Sequence, residues 1–171
     1  MRRRPPIRTV TVAAVAAGTA LLAAPAQAMP GGAQADVQRQ VDQVVRQHPD
    51  AQQSGPGTVT FGNGVELTIP AAGAIVTPCA SGAYCFFQEK NYGGRKLTFR
   101  DCGANGLWQF LTDYGFGNQT SSWQNYTNHT VLVYDQATQP PPTLWTENPG
   151  AESVEVGDAD NKADAFETFC G

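Results

Sequence analysis

The side chains that most often do catalytic chemistry are few in this sequence and are not grouped. Its two histidines, His48 and His129, stand beside a proline and within a run of Asn and Thr residues. No Gly-x-Ser-x-Gly motif occurs, and no pair of acidic residues stands in a recognisable catalytic setting. Because nothing along the chain places a nucleophile beside its base, we predict that the protein is not an enzyme.

The cysteines predict disulfides rather than a metal site. They are Cys79, Cys85, Cys102 and Cys170, and neither a Cys-x-x-Cys pair nor a His pair at ligand spacing accompanies them. An even number of cysteines in a small exported protein predicts two disulfides, for which three pairings are possible. We favour Cys79 with Cys85, because they are close in sequence, and Cys102 with Cys170.

The first 28 residues have the pattern of a secretory signal peptide. Four arginines come first, residues 10–24 are apolar, and Ala26-Gln27-Ala28 has the small residues of a cleavage site. A run of about 15 apolar residues is too short to span the roughly 30 Å of a bilayer's hydrocarbon core, so a membrane anchor is not predicted. We therefore predict a secreted, extracellular protein.

The charge of the chain argues against two classes of partner. The sequence has 11 Lys and Arg against 15 Asp and Glu, and removal of the predicted signal peptide takes away four arginines and no acid. The mature chain is then strongly acidic, whereas nucleic acids and anionic membrane surfaces bind clusters of Lys and Arg. We expect no nucleic-acid or membrane partner, and a monomer.

The segment before the first cysteine predicts a helix, a hairpin and a linker. Residues 29–35 look disordered, and Asp36 can cap a helix whose valines recur at helical spacing. After a loop at residues 50–57, two strands flank Gly62-Asn63-Gly64, which has the composition of a hairpin turn. Residues 70–78 read as an Ala/Gly/Pro linker. The helix and hairpin either dock on the core that follows or form a prosegment.

Residues 84–99 predict a strand, a tight glycine turn and a second strand. Apolar residues alternate on both sides of the turn, as they do in half-buried strands. Phe87 and Tyr92 are spaced so that the folded turn can stack one ring on the other, and Gly94 stands where a positive φ is expected.

This spacing of Phe87, Tyr92 and Gly94 is similar to the folded-hairpin signature of the βγ-crystallin superfamily. With the flanking cysteines, the chain resembles the secreted actinobacterial peptidase-inhibitor family of the Streptomyces metalloproteinase inhibitor type. The resemblance implies an all-β fold, a βγ-crystallin-like sandwich of two Greek keys. It divides the chain into a signal peptide (1–28), the N-terminal helix, hairpin and linker (29–78), and an inhibitor-type domain (79–171).

A faint internal repeat agrees with two Greek keys. Phe87 in the first copy corresponds to Tyr134 in the second, and Ser121-Ser122-Trp123 corresponds to Asp164-Ala165-Phe166. The second copy replaces the glycine turn by Gln139, Pro140, Pro141 and Pro142, which predict a stiff, exposed loop. This loop is either a recognition surface or an ordinary rigid connection.

The superfamily resemblance also implies where calcium could bind. Two six-residue segments, 117–122 and 160–165, offer the candidate ligands Asn118, Ser121, Asp160 and Asp164. Both segments depart from the superfamily pattern, because Gly117 has no side-chain oxygen and Asp164-Ala165 replace a hydroxyl pair. Fewer oxygen ligands mean lower affinity, so we predict no cofactor and weak or absent calcium binding.

The family resemblance implies an extracellular peptidase as the partner, bound through a rigid exposed loop. Three loops are candidates: residues 80–84 inside the shorter disulfide (Ala80, Ser81, Gly82, Ala83 and Tyr84), residues 103–117, and residues 139–143. The family's type member has its inhibitory bond between a cysteine and an apolar residue. Only Cys85-Phe86 matches that pair here, at the start of a predicted strand, so the bond is not assigned. The alternative is a non-inhibitory module that binds calcium or acts as an antimicrobial, killer-toxin-like protein.

The tryptophans leave a further choice, between a core role and a sugar-binding platform. Trp123 and Trp145 each follow a strand-like position, so we expect them in the core. Trp108 is less easily placed: it either covers one end of the sandwich or is exposed.

Overall fold

The computed structural model describes residues 31–171, so the predicted signal peptide lies outside the described residues. Helix α1 (Gly31–Gln47) begins five residues before Asp36, the predicted cap. The predicted disorder is therefore wrong for residues 31–35, because Ala33 packs against the core and Ala and Gln are good helix formers. Within the described residues, no helix has the length and hydropathy needed to cross a bilayer.

Eleven strands follow the helix in the described chain. They are β1 (Gln52–Gly55), β2 (Thr58–Thr60), β3 (Glu66–Thr68), β4 (Tyr84–Glu89), β5 (Gly93–Phe99), β6 (Leu107–Phe110), β7 (Ser122–Asn125), β8 (Thr130–Tyr134), β9 (Thr143–Glu147), β10 (Glu152–Ser153) and β11 (Ala165–Phe169). One sheet has seven strands in the order β1-β2-β3-β5-β4-β7-β10, and the other has four in the order β6-β11-β8-β9. All the named strand pairs are antiparallel.

These strands form two Greek keys that exchange one strand each. The first key is β4–β7 and the second is β8–β11, and in each the first strand lies between the second and the fourth. The third strand crosses over: β6 pairs with β11 of the second key, and β10 pairs with β7 of the first. The predicted all-β, two-Greek-key sandwich is confirmed.

The strand register reproduces the internal repeat. Phe87 of β4 is paired with Ser122 of β7, and the corresponding Tyr134 of β8 is paired with Ala165 of β11. The two copies therefore bring the same repeat positions together, although few of their side chains are alike.

The N-terminal hairpin docks on the first key as an extension of its sheet. β3 pairs with β5 and aligns Leu67 with Leu97, while β2 aligns Val59 with Leu67. Together with Phe86 of β4, these side chains form one fully buried apolar row across four strands. β1 lies within the predicted loop at residues 50–57 and corrects that prediction: its all-polar sequence pairs with β2 as an exposed edge strand.

The core lies between the two sheets and continues under the helix. The Phe99 and Phe166 rings meet at 4.7 Å, and the Phe86 and Phe166 rings at 5.1 Å. Val37 and Val41 of α1 belong to the same cluster of buried residues. Helix α1 thus covers the added strands on the face that the four-stranded sheet covers elsewhere.

Both favoured disulfide pairings are present, Cys79–Cys85 and Cys102–Cys170. The longer one joins the connection after β5 to the residue after β11, so it ties the two keys together. Beside it, the Gly103 N–H donates to Thr168 O and the Cys170 N–H donates to Gly103 O.

The first hairpin folds as its ring pair predicts. The Phe87 and Tyr92 rings lie 5.5 Å apart, and Gly94 has a φ of +69°. Ser122 closes the turn from the neighbouring strand: its hydroxyl donates to Glu89 O at 2.6 Å and accepts from the Tyr92 N–H at 3.0 Å. Trp123, the next residue, is buried.

Candidate functional site

The predicted loop inside the shorter disulfide is smaller than expected. Ala80, Ser81 and Gly82 are exposed, but Ala83 and Tyr84 are fully buried. The Tyr84 ring stacks on Phe99, and burial raises the pKa of its hydroxyl far above the usual value. The candidacy of Ala83 and Tyr84 is thereby corrected: Tyr84 begins β4, Ala83 is the buried residue before it, and residues of the core cannot enter a peptidase.

The proline loop of the second key, residues 139–143, is exposed, and few hydrogen bonds fix it. Gln139, Pro140 and Pro142 are exposed, and Pro141 is half-buried. The Asp135 N–H donates to Pro142 O at 3.3 Å, and the Ala137 N–H donates to the Asp135 carboxylate at 2.8 Å. The loop carries no large exposed aliphatic side chain.

The third candidate region, residues 103–117, contains a strand and a short helical turn. β6 places Trp108 and Phe110 on the outer side of the four-stranded sheet, 43% and 37% exposed. Trp108 stacks on Tyr134 with ring centres 4.8 Å apart, so it lies exposed on a sheet face. Trp145 is half-buried and packs against the core.

Residues 72–78, which the sequence predicts to be part of a linker, carry the most exposed large hydrophobic residue of the described chain. The Ile75 side chain is 97% exposed. Its neighbour Val76 points the other way and packs on a cluster formed by the Cys79–Cys85 disulfide, Ala83 and Phe87. The signal in the sequence is an adjacent Ile and Val pair in an Ala/Gly/Pro stretch directly before a cysteine. We call residues 72–78 the Ile75 segment.

The Ile75 segment is fastened to the outer face of the seven-stranded sheet. Lys96 of β5 donates from its ammonium group to Thr77 O at 2.9 Å and to Pro78 O at 3.4 Å. Burial lowers the pKa of Lys96, which is consistent with an ammonium group enclosed beneath the segment. The Cys79 N–H donates to the Gln124 side chain at 2.8 Å.

Two tyrosines border the same surface. Tyr92 and Tyr126 pack against the cluster that carries Val76, and the Gly82 N–H donates to Tyr126 O at 2.9 Å. The Tyr126 hydroxyl donates to Glu152 at 2.6 Å, and this hydrogen bond raises the pKa of Tyr126 to about 12. The Ile75 segment, the exposed part of the disulfide loop and the tyrosines thus form one continuous surface.

The predicted calcium segments lie against each other. The Asn118 N–H donates to Ala163 O, and the Asn161 N–H donates to Thr120 O. Both asparagines have a φ of +56°, so the backbone is left-handed at the second position of each segment. Ser121 is buried, and its backbone joins the first segment to Phe87 and Val156.

Three oxygens in these segments are buried and accept no hydrogen bond in the described structure: Thr120 Oγ1, Asp160 Oδ1 and Asp164 Oδ1. Oxygen donors of this kind suit a hard cation, although Gly117 leaves one position without a side chain. No group of three or more His, Cys, Asp or Glu residues lies close enough to hold a metal ion in residues 31–171.

The two histidines considered for catalysis lie in separate connections of the fold, His48 after α1 and His129 between β7 and β8. His48 packs edge-on against Phe61, with ring centres 5.2 Å apart. The His129 N–H of the backbone donates to the Thr127 hydroxyl, within a turn between β7 and β8.

The structure also contains a buried acidic residue that the sequence does not predict. Glu147 is fully buried at the end of β9, where one carboxyl oxygen accepts from the Trp145 indole N–H at 3.0 Å. Its other oxygen has no partner among the described residues, and burial raises the pKa of Glu147 to about 8. A lone Glu near the end of a Thr/Leu/Trp strand reads as an exposed residue, so the sequence carries no signal for its burial.

Residues 72–139 match the model of peptidase inhibitor family I36. The family resemblance is thereby confirmed over this segment. The I36 segment begins at the Ile75 segment, contains the shorter disulfide and the whole first key, and ends in the proline loop. No curated protein matches the chain.

Solved structures similar to this chain are βγ-crystallin domains. One comes from work on the evolution of the eye-lens βγ-crystallin domain fold (10% identity, 57% of this chain and 95% of that chain, TM-score 0.45). A second is a domain from Clostridium beijerinckii (21% identity, 51% and 97%, TM-score 0.39). A third is the βγ-crystallin of Ciona intestinalis (20% identity, 50% and 96%, TM-score 0.39).

Proposed function

We propose that this protein is a secreted inhibitor of extracellular peptidases that acts through a rigid exposed loop. The observation that carries the proposal is the I36 match over residues 72–139, the part of the chain that holds the Cys79–Cys85 disulfide and the exposed loops around it. Two disulfides fit an oxidising extracellular environment. The same family match supports a binding role rather than an enzymatic one.

The scaffold has the properties that inhibition requires. A loop held near its bound conformation loses little entropy when a peptidase binds it. Here the sheet beneath the loops is stapled by one disulfide, and the two keys are joined by another. A chain held at both ends of a loop resists separation even when the loop is cut.

The inhibitory bond of the family's type member is not retained at the one matching pair. Cys85 and Phe86 are both fully buried in β4. An accessible bond must therefore lie in one of the exposed loops.

An inhibition assay tests the proposal. Oxidised protein comprising residues 29–171 should slow the hydrolysis of a fluorogenic peptide by a thermolysin-like or a subtilisin-like peptidase at micromolar concentration or below. Protein that has been reduced and alkylated is the matched control, and it should lose the effect. Absence of inhibition of both enzyme classes by the oxidised protein at micromolar concentration contradicts the proposal.

Calcium binding is a second candidate function, favoured by the three unpartnered oxygens of Thr120, Asp160 and Asp164. These residues, with Ser121 and Asn118 beside them, would hold the cation at the junction of the two keys. Calorimetric titration with calcium should show heat of binding that is lost in Asp160→Ala. Identical titrations of the wild type and the variant would rule this site out.

A further inference from the structure

We infer that the Ile75 segment is the peptidase-contacting loop and that the Ile75 side chain fills an apolar specificity pocket of the enzyme. This inference rests on the proposed function and deepens it, because it names the residue that enters the enzyme and the chemistry of the pocket. The partner is a peptidase whose pocket accepts an uncharged aliphatic side chain.

The exposure of Ile75 is the first observation. A large aliphatic side chain gains about 1.5–3 kcal/mol when it is fully removed from water. The other large exposed hydrophobic side chains of the described chain are partly covered: Val154 is 49% exposed, and Trp108 rests on Tyr134. Ile75, at 97%, has almost no contact with its own protein. It has therefore the most to gain from a partner.

The fastening of the segment is the second observation. Val76 is anchored in the disulfide cluster, and Lys96 holds the carbonyl groups of Thr77 and Pro78. On the other side, the Ala74 N–H donates to Ala71 O and closes a turn. Ile75 is thus presented between two fixed points, so that little loop entropy remains to be lost on binding.

The free backbone of the segment is the third observation. Within residues 31–171, the N–H and C=O groups of Ile75 and Val76 make no backbone hydrogen bond to the rest of the protein. Backbone groups left free in this way can pair with an exposed strand edge of a partner, which is a common way for a protein to bind a peptide. The segment can therefore offer main-chain hydrogen bonds beside its apolar side chain.

The surroundings of Ile75 resemble the centre of a protein interface. Small residues, Gly73 and Ala74, precede it and leave space for an enzyme wall, while Tyr92 and Tyr126 border the cluster beneath. Tyrosines beside an apolar anchor are typical of the residues that dominate binding energy. The proline loop lacks such an anchor, and for this reason we do not assign it the same role.

Charge substitution at Ile75 tests the inference with a matched control. Ile75→Glu should weaken inhibition of the enzyme that the wild type inhibits by about 30-fold or more, the ratio that about 2 kcal/mol of lost apolar burial gives. Val154→Glu, a charge placed on another exposed aliphatic residue, should leave the inhibition constant within about threefold of the wild type. Thermal melting should be unchanged in both variants, since neither position is buried.

A change of specificity gives an independent readout. Ile75→Arg should weaken inhibition of the original enzyme and create inhibition of a trypsin-like peptidase, whose pocket is acidic. If the wild type inhibits and all Ile75 variants inhibit equally well, the inference is wrong and the proposed function stands. If the wild type inhibits no peptidase, the proposed function fails first, and the inference fails with it.

Discussion

The two Greek keys share one strand framework and differ in the turn between their first two strands. In the first key, Tyr92 and Gly94 close a tight turn against Phe87, whereas in the second the chain leaves the sheet through three prolines. The paired positions are nevertheless the same, Phe87 with Ser122 and Tyr134 with Ala165. The framework is therefore set by strand pairing and core contacts, and the turn is free to vary.

The surroundings of the two keys also differ. The first key is extended by three strands, and the Ile75 segment lies on the outer face of their seven-stranded sheet, while the outer face of the four-stranded sheet carries the exposed stack of Trp108 on Tyr134. The two outer faces of the sandwich therefore differ: a fixed loop lies on one, and the other carries an exposed pair of aromatic rings. Three predictions test whether the two keys also differ in what stabilises them.

The largest effect is expected from the disulfide that joins the keys. In the loop-entropy account, Cys102–Cys170, with 68 residues of separation, stabilises the fold by about 4 kcal/mol. Cys79–Cys85, with a separation of 6, contributes about 2 kcal/mol. Urea unfolding of the two double Cys→Ser variants measures both values. Equal losses of unfolding free energy in the two variants would show that the disulfide between the keys stabilises the fold no more than the shorter one does.

The second effect concerns an acid that only the second key buries. Glu147 is paired with Val131 of β8, and the residue at the same place in the first key is the buried Phe99, paired with Tyr84 of β4. The residue after Phe99 is Arg100, which is exposed and bonded to Glu66. Burial raises the pKa of Glu147 to about 8, so the folded protein holds a proton that the unfolded chain releases near pH 4.5. The contribution of Glu147 to stability is then most favourable below pH 4.5 and falls as the pH rises to about 8.

Glu147→Gln should remove this dependence. The free energy of unfolding of the wild type should fall relative to that of the variant between pH 5 and pH 8, by an amount on the order of a few kcal/mol, because the amide cannot ionise. Urea unfolding at pH 5, 7 and 9 makes the measurement. Arg100→Gln is the control from the first key, and an exposed ion pair there should contribute less than about 1 kcal/mol. Parallel pH profiles for the wild type and Glu147→Gln would refute the assignment.

The parts of the fold that sequence predicts are those with local signals. The alternation around residues 84–99 predicts β4, β5 and the ring pair, and the valine spacing predicts the helix. β1 is missed because Gln52-Gln53-Ser54-Gly55 is wholly polar, and an edge strand needs no apolar face. β1 forms because the edge of β2 is available for pairing, and no pattern within the four residues of β1 predicts this.

The site is less predictable for the same physical reason. By sequence, Tyr84 belongs both to the end of the candidate loop and to the start of a predicted strand, and the sandwich decides between them by burying it against Phe99. Ile75 looks like part of a linker, and only the sheet beneath it, through Lys96 and Phe87, turns that linker into a fixed loop. Exposure and burial depend on which strands meet, and this is a property of the whole chain.

The smallest effect is expected at the two turns themselves. Gly94 has a φ of +69°, and a Cβ there would lie 2.9 Å from Glu89 Cγ and 3.0 Å from Gln88 Cβ. Gly94→Ala should therefore destabilise the protein by about 1–2 kcal/mol, the cost of the left-handed conformation for a residue with a side chain. Pro141→Ala in the loop of the second key should change stability by less than about 0.5 kcal/mol, since this loop closes no turn against the core. Chemical unfolding of the two variants measures both losses of stability. If Gly94→Ala is as stable as Pro141→Ala, the tight turn contributes no more to the stability of the first key than the prolines contribute to that of the second.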